Sequence, residues 1–139
     1  MKKLFLLDGH ALVYRAHFAF IQRPLINSKG LNVSAISGFT RLIWDVIKNQ
    51  SPTHIAVAFD LSGPTFRNEM FPEYKANRDA QPEDISLAFP YIHQILNAFK
   101  IPIITKEGFE ADDVIGTIAK VFQASVPRLL LNYSNNLTQ

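Results

Sequence analysis

The chain has 139 residues, 47% of them hydrophobic, and 14 Lys and Arg against 12 Asp and Glu give a formal charge of +2. That is enough chain for one globular domain with a core of its own. There is no cysteine, which excludes disulfides and thiolate metal sites and suits a reducing compartment. So small a net charge leaves any nucleic-acid affinity to the placement of the basic residues.

The N-terminus, Met1 to Asp8, opens like a signal peptide, but its apolar run Leu4-Phe5-Leu6-Leu7 is too short for an h-region. No stretch approaches the ~20 residues of a membrane span. The expectation is a soluble cytoplasmic protein with no membrane partner. Residues 3–8 read as a strand buried on both faces, because the apolar run is continuous rather than alternating. Residues 10–20 read as a short helix carrying Leu12, Val13, Ala16 and Phe20, and Asn27-Ser28-Lys29-Gly30 as a turn. Ser34 is the predicted N-cap of a helix on which Ile36, Phe39, Ile43, Val46 and Ile47 recur at helical spacing to about residue 49. Ser51-Pro52 ends it, and 54–59 form the second strand.

Residues 61–81 show neither period and carry Pro64, Pro72 and Pro82 at or near their limits. Loops beyond ~12–15 residues tend to be functional or mobile, and this one is expected to be so. Residues 83–99 resume a helical stripe, with Pro90 predicted to kink it or delay its start. Residues 101–105 read as the third strand and 110–123 as the next helix. Strands alternating with helices imply an α/β fold of three layers, a mostly parallel sheet flanked by helices. Beyond residue 120 the character changes. Pro127 breaks the helix, Arg128-Leu129-Leu130-Leu131 fits a fourth strand, residues 132–139 read as a polar tail, and no Asp or Glu follows Asp113.

Five carboxylates fall where such a sheet would gather them. Asp8 and Asp60 each close a buried strand, and Glu110, Asp112 and Asp113 open the helix after the third. Ligands bind open α/β sheets outside the carboxyl ends of the strands. Clustered carboxylates repel unless a cation sits between them, and hard divalent metals take oxygen ligands. Acids in a first helical turn are also favoured by the macrodipole, by roughly 0.3–1 kcal/mol each, so the helix cluster alone is weak; two strand-end acids beside it point to metal chemistry on phosphate. The 61–81 segment interleaves Arg67, Lys75 and Arg78 with Phe66, Phe71 and Tyr74. Cations can neutralise a phosphodiester and rings can stack on unpaired bases. Equally, these aromatics can anchor a surface loop. Arg15, after Tyr14, reaches either a phosphate or an acid. His10, His17, His54 and His93 lack metal-ligand spacing and read as ordinary histidines.

Leu6-Leu7-Asp8-Gly9, Tyr14-Arg15-Ala16, Gly38-Phe39, Ala58-Phe59-Asp60, Thr65-Phe66-Arg67, Tyr74-Lys75-Ala76-Asn77-Arg78 and Glu110-Ala111-Asp112-Asp113 occur in that order. From residue 4 to about 120 the chain closely resembles the N-terminal part of the bacterial 5′-nuclease family, the 5′→3′ exonuclease domain type of DNA polymerase I and its stand-alone relatives. The resemblance implies a PIN-like, resolvase-like core. It implies that Asp8, Asp60, Glu110, Asp112 and Asp113 bind Mg²⁺ or Mn²⁺, with two ions in a complete domain. Lys75 and Arg78 match the basic pair that engages the scissile phosphate, and Arg15 is a third catalytic match. Tyr14, Arg67 and Tyr74 match positions near the DNA, and Gly38, Thr40 and Arg41 a helix start near the duplex. The implied partner is DNA with a 5′ end or 5′ flap, and a polymerase domain in a longer gene product.

The family's later acidic strand and helix–turn–helix have no counterpart after Asn132-Tyr133. The chain is therefore expected to divide into residues 1–120, the N-terminal part of the exonuclease domain, and 121–139, a divergent tail from truncation or a frame shift. The competing expectations are a catalytically silent DNA-binding fragment, and a metal-dependent phosphatase or RNA-cleaving nuclease on a related sheet. Against an aspartyl-phosphate phosphatase, His10 stands where the second Asp belongs.

Overall fold

In a computed structural model, residues 2–125 and the backbone of residues 129–133 are described. The elements in chain order are β1 (Lys2–Asp8), α1 (Gly9–Ala19), α2 (Ser34–Asp45) continued by a π-helical turn (Val46–Gln50), β2 (His54–Ala58), α3 (Phe66–Met70), α4 (Glu83–Ala98), β3 (Ile103–Ile104), α5 (Ala111–Ser125) and β4 (Leu129–Tyr133). The four strands form one sheet in the order β3-β2-β1-β4. All pairings are parallel, with Leu4 opposite His54, Lys2 opposite Leu129 and Val57 opposite Ile103. The α/β class expected from the sequence is the one found.

The chain adds β2 and β3 on one side of β1, then returns to add β4 on the other. Reversing direction along a parallel sheet sends the crossover helix to the opposite face. Alternate residues of β1 accordingly feed two separate cores. Phe5 and Leu7 join Leu12, Val13, Phe39, Ile43, Ile85, Ile92 and Leu96 under α1, α2 and α4. Leu4 and Leu6 join Ala56, Ala58, Ala111, Ile115 and Ala119 under α5. The first core is built of large side chains. The second has alanines on both partners, so α5 can lie close to the sheet. The rim between β1 and β4 is where the strand order reverses, and Asp8 closes β1 there.

Several local expectations are corrected. Ser34 is not the N-cap of α2; that position is Val33, with no capping side chain. The Ser34 hydroxyl instead accepts the Leu25 N–H at 2.9 Å and so pins the preceding turn. The 61–81 segment is not without structure. It contains α3, where Thr65 and Asn68 form a capping box. Pro90 lies inside α4, which begins at Glu83, so the helix does not start late. β3 is only Ile103–Ile104. Pro102 contributes a carbonyl, which accepts from Val57 N–H at 3.0 Å, but has no N–H to extend the ladder. Asn132 and Tyr133, expected in the tail, belong to β4, and residues 134–139 lie outside the described residues.

Gly38 sits where α2 crosses α1. A Cβ there would lie 2.8 Å from the Ala16 Cβ and 3.3 Å from its Cα. Gly38→Val is therefore expected to destabilise the fold by about 1–3 kcal/mol through overpacking, despite a helix propensity better than glycine's. Urea unfolding checks this, and Ala16→Gly in the same chain should recover part of the loss.

Candidate active site

Three segments meet at the carboxyl end of the sheet. Asp8, the last residue of β1, caps α1 by accepting the Ala11 N–H at 3.0 Å. Asp60, just past β2, accepts the Ala111 N–H at 2.6 Å and so ties the strand end to the first turn of α5. The Asp60 N–H in turn donates to His10 Nδ1 at 3.2 Å. An accepting Nδ1 makes His10 a neutral imidazole with its proton on Nε2. Burial lowers the His10 pKa, which favours the same state, and the ring packs against Phe59 and Phe89. Gly9 makes this close arrangement feasible, because a Cβ there would overlap the Phe59 ring.

These residues open onto a pocket of about 430 Å³ whose acidic lining is Asp8, Asp60, Glu110 and Asp112 and whose basic lining is Lys75 and Arg78. Tyr14, Gln81 and His10 complete much of the wall, and the Tyr14 hydroxyl donates to Gln81 Oε1 at 3.3 Å. The Asp8 pKa is raised, mainly by burial; the Ala11 N–H opposes this, and the charges of Asp112 and Asp60 add to it. Asp60 and Asp112 line the same pocket as Asp8.

Beside the pocket the remaining charge is compensated from within the chain. Arg67 grips Asp113 with two hydrogen bonds of 2.7 Å and lies 3.4 Å from Glu110. Lys75 Nζ donates to Glu110 Oε1 at 2.8 Å and lies 4.9 Å from the centre of the Tyr74 ring. Asp113 also accepts the Glu110 N–H at 3.0 Å, closing the first turn of α5. The paired guanidinium holds the Asp113 carboxyl below its ordinary pKa.

The donor set suits a hard divalent cation, since Asp8, Asp60, Glu110 and Asp112 are oxygen donors lining one pocket, and the Asp8 charge is opposed by its acidic neighbours. Among the described residues no three carboxylates or imidazoles stand ready around a single point. Asp60 is turned to Ala111 and Glu110 to Lys75. A cation would have to compete with those bonds.

The residues singled out in the sequence separate into groups. Asp8, Asp60, Glu110, Asp112, Tyr14, Lys75 and Arg78 share the pocket. Asp113 does not line it; its carboxylate faces Arg67. Arg67 and Tyr74 do not line the pocket; Arg67 pairs with Asp113 and Glu110, and the Tyr74 ring lies under the Lys75 ammonium. Arg15 is exposed on α1 and lines no part of the pocket. Gly38, Thr40 and Arg41 lie on α2, away from the pocket, and the Thr40 hydroxyl is spent on the Ile36 carbonyl at 2.7 Å. The sequence marks His10 only by its place two residues after Asp8. Gln81 has no motif of its own, and Asn68 is marked only by its Thr-x-x-Asn spacing from Thr65.

A family model described as the 5′-3′ exonuclease N-terminal resolvase-like domain matches residues 3–131. The chain belongs to this family. It is 44% identical over 119 residues to a protein of Bacillus caldotenax named DNA polymerase I, a match that covers 85% of this chain and 13% of that one. The chain thus spans about an eighth of that relative's length. Among solved structures, a bacteriophage T5 5′-exonuclease with bound zinc superposes with a TM-score of 0.63 at 23% identity, over 94% of this chain and 48% of that one. A bacteriophage T5 flap endonuclease in a pseudo-enzyme–product complex with DNA and metal ions gives 0.62 at 26% identity, over 94% and 48%.

Two outcomes test the electrostatics of the site. Because the folded-state pKa of Asp8 is raised above 3.8, its ionisation opposes folding. Its contribution is fully present below pH 3.8 and lost as pH rises through the raised value. Asp8→Asn keeps an acceptor for the Ala11 N–H but cannot ionise. In chelator, its melting temperature should exceed that of the parent by a margin that opens above pH 3.8. For Asp113 the sign is opposite: its lowered pKa stabilises the fold above 3.8 and the effect is lost as pH falls through the lowered value. Arg67→Gln should therefore be less stable than the parent at neutral pH and converge with it in strong acid, as thermal melts across pH would register.

Proposed function

We propose that this chain is the N-terminal part of a metal-dependent 5′-nuclease that hydrolyses DNA phosphodiesters at 5′ ends or 5′ flaps in replication and repair. The observation that carries the reading is one pocket lined by four carboxylates from three segments together with Lys75 and Arg78. The names and ligands of the relatives support it: DNA polymerase I, and T5 nucleases bound to metal ions and DNA.

Asp8, Asp60, Glu110 and Asp112 would hold the metal, with Asp113 reaching it only after release from Arg67. Mg²⁺ or Mn²⁺, two ions in a complete domain, would supply a water nucleophile at neutral pH and charge stabilisation of the leaving oxygen. Lys75 and Arg78 line the same pocket, Lys75 paired with Glu110, and would turn to the non-bridging oxygens of the scissile phosphate, where preorganised cations favour developing charge. Tyr14 offers a ring face to an unpaired 5′ nucleotide, and Tyr74, under the Lys75 ammonium, would do so once Lys75 turns to phosphate. His10 holds the Asp60 backbone and so fixes the angle of one acid. Arg15 and the Gly38–Arg41 segment, off the pocket, would meet DNA only farther along its path. We place the protein in the cytoplasm, joined or not to a polymerase domain.

A second reading has its own support. Glu110 and Asp113 are already neutralised by Lys75 and Arg67, which favours a DNA-binding fragment without turnover. Mg²⁺ titration with a labelled 5′-flap duplex separates the two: divalent-dependent release of a 5′ product supports the nuclease, and binding alone the fragment. In the active protein, Asp60→Asn and Lys75→Ala are each expected to lower kcat by about 10²–10³, with DNA affinity in Ca²⁺ changed much less. Undiminished cleavage in either variant would remove that residue's role.

A further inference from the structure

The segment from Thr65 to Arg78 contains one side chain whose two ends face two different parts of it. The Asn68 carboxamide oxygen accepts from the Thr65 N–H at 3.0 Å and from the Thr65 hydroxyl at 3.2 Å. Its amide nitrogen donates to the Tyr74 carbonyl at 3.1 Å. A flipped amide would set a donor against the Thr65 N–H and an acceptor against a carbonyl, so the contacts fix the orientation. Asn68 therefore bridges the start of α3 and the turn before Lys75.

Lys75 needs such a restraint. Its φ is +58°, in the left-handed region that side chains with a Cβ seldom adopt. The peptide held by Asn68 is the one that enters this residue. Beyond it, Lys75 Nζ is carried over the Tyr74 ring to Glu110 on the pocket wall. The backbone supplies a turn around Lys75: Ala76 N–H donates to the Glu73 carbonyl at 3.1 Å, so Tyr74 and Lys75 are the central pair of a β-turn, and Arg78 N–H reaches the Lys75 carbonyl at 3.3 Å. A positive φ at the third position requires one orientation of the central peptide, and the Asn68 amide is the side-chain donor that holds that peptide's carbonyl.

We infer that Asn68 is a positioning residue, clamping the Tyr74 carbonyl so that Lys75 takes its left-handed backbone and delivers its ammonium to the pocket. This rests on the reading of Lys75 as a phosphate-binding cation. Asn68 itself does not line the pocket, so its effect on turnover passes through Lys75.

Asn68→Asp isolates the clamp. A carboxylate still accepts both Thr65 donors and keeps the capping box, but it has no N–H for the Tyr74 carbonyl. Flap cleavage by the protein in its active form, with Asn68→Asp, Lys75→Ala and the double variant, makes the cycle. Misplacing a catalytic group by an ångström can cost up to about 100-fold, so Asn68→Asp is expected to lower kcat about 10- to 100-fold with KM little changed. In the Lys75→Ala background it should cost nothing further, because coupled residues are non-additive. In the metal-free chain, trypsin should cut after Lys75 several-fold faster in Asn68→Asp, a readout independent of turnover. Full additivity in the cycle, or an unchanged kcat in Asn68→Asp, overturns the inference. Should Lys75→Ala alone retain parental kcat, the reading of Lys75 fails first and takes the inference with it. If Asn68→Asp unfolds, Asn68→Ser, short of the Tyr74 carbonyl but still an acceptor, enters the same cycle with the same expected pattern.

Discussion

The rim of acids exists because α5 can approach the sheet closely. On that face β2 presents Ala56 and Ala58, and α5 answers with Ala111 and Ala119. Short side chains bring backbone to backbone, and the Ala111 N–H reaches Asp60 at 2.6 Å. That bond satisfies a donor of the first helical turn that has no intrahelical partner, and it places Glu110 and Asp112 beside the strand-end acids. On the other face, the larger side chains Phe39, Ile43, Ile85, Ile92 and Leu96 fill the core. The asymmetry of the two cores thus sets the geometry of the site.

Bringing carboxylates together is unfavourable, and the fold offsets it with several different devices. Helix N-termini receive Asp8, Asp60 and Asp113 through the N–H groups of Ala11, Ala111 and Glu110. The segment between β2 and α4 brings Arg67 and Lys75 across to Asp113 and Glu110. Bidentate Arg–carboxylate pairs such as Arg67 with Asp113 are among the stronger charge-assisted contacts. What remains uncompensated is concentrated at Asp8, where burial and two acidic neighbours act together. The same few carboxylates therefore serve the fold, through caps and ion pairs, and remain available at a polar pocket.

The strands and the acids were readable because their signals are local. A continuous apolar run such as Leu4–Leu7 has few alternatives to a doubly buried strand, and an acid at its end must lie at the sheet's rim. The family resemblance rested on the same short motifs. Other features depend on partners far along the chain. Ser34 had the right identity for a cap, but Leu25, nine residues earlier, claims its hydroxyl. Helical spacing, about 100° per residue, sets Glu110 and Asp113 on one face with Asp112 to the side, yet it is Glu110 and Asp112 that line the pocket, because Arg67 takes the Asp113 carboxylate. His10 has no local signature, because its partner is the N–H of Asp60, fifty residues later, which donates to its Nδ1.

By itself the sequence determined the α/β alternation, the strand-end carboxylates and the family, since each is carried by residue type and short-range spacing. Only the tertiary structure decided which acids share a pocket, which are held by Arg67 and Lys75, and that Asn68 joins α3 to the Lys75 turn. Those outcomes depend on distances between segments tens of residues apart, and such distances are set by packing against the sheet, not by any local pattern.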